Sequence, residues 1–163
     1  MENYFNKREE AKMPDHGIAQ IIFPDSKDLE TFLKEQGGYD LHEDLLEYGL
    51  TTKQFLYVDY KGEQYQEIVN FILDYEFAHQ IELATQEELE RLEAFNYEFL
   101  PDKIKMANKI LSPKGYGLFL YPNSGDFYAL FIGKIENITK ILQEEVLLDD
   151  RIPFQERCIK YYR

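Results

Sequence analysis

Tyr116-Gly117-Leu118-Phe119-Leu120-Tyr121-Pro122-Asn123-Ser124-Gly125-Asp126-Phe127-Tyr128-Ala129-Leu130-Phe131-Ile132 decides the fold. Two runs of aromatic and aliphatic residues flank a cluster rich in turn formers. Pro122, Asn123, Ser124 and Asp126 favour a chain reversal, and Gly125 supplies positive φ without a steric penalty. The stretch predicts an antiparallel hairpin. Both faces of the hairpin are largely apolar, so it belongs in a sheet with helices packed on it.

Working outward, Phe55-Leu56-Tyr57-Val58-Asp59-Tyr60 predicts a central strand, with Leu56, Val58 and Tyr60 on one face. The short apolar run Ile18–Phe23, closed by Pro24, reads as a buried strand. A brief strand is also expected at 81–84. Helices are expected after Asp25, over 41–48 from an Asp40 cap, and over 64–78. The next is opened by the Thr85/Glu88 capping box and runs to about Phe99. Pro101 then opens a helix carrying Ile104, Ala107 and Leu111, which Pro113 and Gly115 end. A last helix is expected over 137–148. Gly37-Gly38 and Gly49 read as helix stops. The reading is α+β: a mixed or antiparallel sheet of four to five strands with helices packed on it.

The 163 residues form one expected acidic domain with a formal net charge of −13. The chain also has 13 Tyr and 12 Phe, enough aromatic area for a substantial core. Residues 151–163 run against the trend, with Arg151, Arg157, Lys160 and Arg163 facing only Glu156. Ile152, Phe154 and Ile159 give this short basic segment something to pack with, so it is expected to lie on its own domain. The acidic excess disfavours phosphate binding, and no basic patch offsets it, so nucleic acid is not an expected partner. No apolar run is long enough to span a bilayer. The N-terminus lacks the apolar region of a signal peptide, and Cys158 is the single cysteine. These features favour a cytoplasmic protein without membrane contact.

No cofactor motif is found. His16, His42 and His79 lack the spacing of a metal site, and neighbours in His42-Glu43-Asp44 point in different directions on a helix. Cys158 lacks an evident activating base. Two candidate sites remain. Asp59 and Glu63 flank a strand end and Asp126 lies in the hairpin turn; if the strand and hairpin are neighbours, the three carboxylates with nearby tyrosines could serve an enzyme or ligand-binding domain. The stretch from Glu82 to Glu98 holds six glutamates against Arg91. Its members Glu87, Glu88, Glu90 and Glu93 would present an acidic docking face to a basic protein. The sequence does not specify an oligomeric state.

Tyr57-Val58-Asp59-Tyr60-Lys61-Gly62-Glu63 and Gly125-Asp126-Phe127-Tyr128-Ala129-Leu130 resemble a family of small bacterial cytoplasmic domains of unknown function. In that family a strand ending in Asp-aromatic-Lys-Gly-Glu precedes a helix, and a Gly-Asp-x-Tyr hairpin follows later. The resemblance covers about residues 50–135 and implies no catalytic residue. In size and charge alone, the chain is similar to the immunity proteins that neutralise toxins. The reading is therefore a protein-binding module, an immunity-type inhibitor or regulator of a basic partner.

Overall fold

The hairpin forms where expected, although Gly125 does not take the positive φ expected of it. The structure, a computed structural model, describes residues 17–38, 40–59, 67–95 and 99–163. Strand β2 (Tyr116–Tyr121) pairs antiparallel with β3 (Phe127–Lys134), from Tyr116 opposite Lys134 to Tyr121 opposite Ala129. Asn123 closes the turn: its carbonyl accepts from Gly125 N–H at 2.8 Å and its amide donates to Phe127 O at 3.0 Å.

Strand β1 (Leu56–Asp59) pairs antiparallel with β3, and β4 (Lys160–Tyr161) with β2, giving the order β1-β3-β2-β4. The α+β reading holds, and the sheet is wholly antiparallel with four strands. The position expected for β1 does not hold, because it lies at an edge. Its Tyr57 is 50% exposed and stacks on Phe127 at 4.7 Å. Its apolar character on both faces therefore does not signal a central place.

Helices cover both faces. Helices α4 (Glu67–His79), α5 (Gln86–Ala94) and α6 (Leu100–Leu111) pack on the face carrying Leu56, Val58, Leu118, Leu130 and Ile132. The opposite face carries Phe119, Tyr121, Ala129 and Phe131. It packs on α1 (17–22 among the described residues), α2 (Leu29–Glu35), α3 (Leu41–Thr51) and α7 (Ile138–Leu142). Rings run through this second core: Phe23 to Phe55 at 5.3 Å, Phe55 to Phe131 at 5.4 Å and Phe131 to Phe119 at 5.3 Å.

Four local expectations are corrected. The helix opened by Thr85 ends at Ala94 rather than near Phe99, where Phe95 turns extended, and Phe99 instead precedes α6. Residues 18–22 are helical, with Ile18/Ile22 and Ala19/Phe23 buried at four-residue spacing. Residues 81–84 form no strand: Leu83 and Ala84 donate their backbone N–H to the Glu76 carboxylate at 2.6 and 3.0 Å instead of to a neighbouring strand. The helix expected over 137–148 shrinks to α7. Glu145 then forms a bridge with Cys158, and the Val146 and Leu147 N–H groups both donate to Arg157 O.

The basic terminal segment packs onto its own domain through the short helix α8 (Phe154–Arg157) and β4. Arg157 pairs with Glu145 at 2.7 Å, and Ile159 is buried in the second core. Asn108 of α6 anchors the segment from the other side. It is 2% exposed; its carbonyl accepts from Leu118 N–H at 2.7 Å, and its amide donates to Leu118 O and to Tyr162 O at 3.3 and 2.7 Å. One side chain thus completes the backbone bonding of β2 where β4 has ended.

Candidate functional site

The acidic helix α5 is built from its cap. Thr85 Oγ1 accepts from Glu88 N–H at 3.1 Å, and Thr85 N–H donates to Glu88 Oε1 at 2.9 Å. These bonds stabilise the charged carboxylate and hold Glu88 below the usual range, the Thr85 backbone bond contributing most. Glu88 is thereby engaged in the fold. Leu89 and Leu92 face the core, which turns Glu87, Glu90 and Glu93 outward. Glu90 accepts from the Gln86 amide, and none of the three forms an ion pair among the described residues. Beneath them lies Lys103, 1% exposed. Burial pushes its ammonium below the ordinary lysine value, and Glu93 opposes that shift.

One flank of α4 is exposed and partly apolar. Leu73, Glu76 and Phe77 share this flank by helical spacing. Glu76 holds the 83–84 backbone that leads into α5. Phe77 is 88% exposed and Leu73 43%. Exposed side chains of this size next to one another are features of interaction surfaces.

A cleft lies elsewhere, between the two helical layers. Its two lobes, about 730 and 620 Å³, share Ile22, Pro24, Tyr75 and Ile132. Tyr75 stands between the lobes, its ring stacked on His79 at 4.0 Å. Burial pushes its hydroxyl up to about 12, with smaller contributions from Tyr116 and Asp25. His79 Nε2 is 3.5 Å from Asp25, and its Nδ1 is 3.2 Å from Tyr75 O. No sequence motif marked these residues; they are gathered from α1, α4 and β3 by the tertiary fold.

Of the carboxylates singled out from the sequence, Asp59 lies opposite Phe127, the residue after Asp126, so both sit at one end of the sheet. Asp126 is exposed in the turn, and neither residue lines the cleft. Glu63 lies outside the described residues, as do His16 and the 60–63 part of the quoted motif. His42 is buried and 2.9 Å from Glu144, linking α3 to the end of α7. Among the described residues no group of three His, Cys, Asp or Glu side chains could hold a metal ion, and no helix is long and apolar enough to cross a membrane. Cys158 is buried, which pushes its thiol up and away from the reactive thiolate. Compared with known proteins, the chain matches no family model, and no curated protein or solved structure is similar to it.

Proposed function

We propose that the protein is a binding module that docks a basic protein partner on the outer face of α5, in the manner of an immunity-type inhibitor or regulator. The observation that carries this reading is the exposure of Glu87, Glu90 and Glu93 on α5, with no ion pair to any of them among the described residues. A charged face steers a basic partner and speeds encounter. In the basic terminal segment Arg157 is paired with Glu145 and Asp150, and Arg151 with Asp149, so these two cations are engaged away from this face.

The test is an affinity capture from host lysate with wild-type bait and with a triple variant, Glu87→Gln, Glu90→Gln and Glu93→Gln. The expected result is a near-stoichiometric basic protein on the wild type, released by salt and missing from the variant. Equal recovery on both baits, or none on either, sinks the reading.

A further inference from the structure

Strand β3 is longer than the strand that covers it. β1 pairs with residues 127–130 only, so the edge of β3 beyond Leu130 has no strand beside it among the described residues. The direction of the backbone groups beyond Leu130 follows from alternation along an antiparallel ladder. Ile135 N–H donates to Gly115 O, so Ile135, and with it Gly133 and Phe131, points its backbone groups toward β2. Leu118, opposite Ile132, confirms the parity: its N–H and C=O turn away from β3 to meet Asn108. Ile132 and Lys134 therefore aim their N–H and C=O groups at the other side, where β1 has ended. These groups have no hydrogen-bond partner among the described residues.

That side is the cleft. Ile132, Gly133 and Lys134 line its first lobe, and Phe131 and Ile132 its second. One wall is Ile18, Ile21 and Ile22 of α1; the other is Tyr75 and Ala78 of α4. The two helices belong to opposite layers, so they stand apart and leave the sheet edge as the floor between them. Unpaired donors and acceptors along a strand edge are a template for another strand.

We infer that this cleft binds an extended apolar segment of a partner protein, which adds a short strand to β3 in line with β1. Residues 131–134 span about 13 Å at strand rise, room for about four residues of ligand. Main-chain bonds to Ile132 and Lys134 would hold the segment. Its side chains would alternate between the two walls, meeting Ile18, Ile21 and Ile22 on one side and Tyr75 and Ala78 on the other, with Gln20, Lys134, Glu136 and Lys140 also lining the first lobe. The site is separate from the α5 face and does not depend on it.

The experiment is amide hydrogen exchange by NMR on the full chain, alone and with peptide. Alone, the Ile132 and Lys134 amides are expected to exchange at least tenfold faster than those of Phe131 and Gly133. Equal protection in the free protein means that the chain already covers its own edge, and overturns the inference. The probe is a peptide selected on the full chain from a phage-displayed library of linear random heptapeptides. It should slow exchange at Ile132 and Lys134, and methylating its alternate backbone nitrogens should weaken binding at least tenfold. Failure to select any peptide, protection elsewhere, indifference to N-methylation, or a concentration-dependent dimer that alone protects the edge each overturns it. The triple glutamine variant of α5 should bind the peptide as the wild type does. Loss of binding there would relocate the peptide to the acidic face, ending this inference but not the reading above.

Discussion

Asn108 shows how much one side chain can hold. It satisfies Leu118 and Tyr162 in an interior where an unmet backbone group is costly. Replacing Asn108 by Leu removes three bonds and strands those groups. Urea titration should show a loss of about 2–4 kcal/mol, more than the ~1 kcal/mol for one ordinary hydrogen bond. The Thr85 cap is a smaller matter: Thr85→Ala should cost about 1 kcal/mol in the same assay. The cap was legible from sequence because its two partners are three residues apart. Asn108 was not read, although it left a signal, a polar residue on the inward stripe formed by Ile104, Ala107 and Leu111. Its partners Leu118 and Tyr162 are far along the chain and become neighbours only in the sheet.

Elements were read well where local chemistry settles them and badly where length is short. Residues 18–23 form a run of six with only Gln20 polar, for which helix and strand periodicities are hard to separate. Packing decided for a helix, burying Ile18 with Ile22 and Ala19 with Phe23 around the Phe55 and Phe131 rings. Gly49 reads as a helix stop, yet α3 continues to Thr51. Its glycine serves contact instead: a Cβ there would lie 2.4 Å from Phe55 Cγ. Alanine normally favours a helix over glycine by about 1 kcal/mol. Here Gly49→Ala should instead destabilise by about 1–3 kcal/mol, because the crowded ring must move. Thermal unfolding decides the sign, and a raised midpoint would refute the contact argument. The acidic character of α5 was likewise legible, but the exposure of Phe77 was not, since the 64–78 stripe alone does not show which flank the sheet leaves open.

At the scale of the whole molecule, charge and buried phenols set the response to conditions. A net charge of −13 repels itself within a compact body, so raising NaCl from 10 to 150 mM should raise the thermal midpoint. Burial raises Tyr121 well above 10 and Tyr75 to about 12. Above pH 10 the unfolded chain therefore releases phenolic protons that the folded protein keeps. Their stabilisation is full below pH 10 and is lost as pH rises toward and beyond 12. Denaturant titrations from pH 9 to 12 should show this decline, and Tyr75→Phe should make it shallower. The sequence by itself determined the acidic surface, the aromatic core, the hairpin and the Thr85 cap, because composition and neighbours a few residues apart carry those physics. Only the tertiary structure decided that β1 is an edge, that 18–22 is a helix, and that β3 outruns its partner to leave, among the described residues, an unpaired edge in a cleft. Each of these depends on which distant surfaces meet, and the free energy of those meetings belongs to no single stretch of chain.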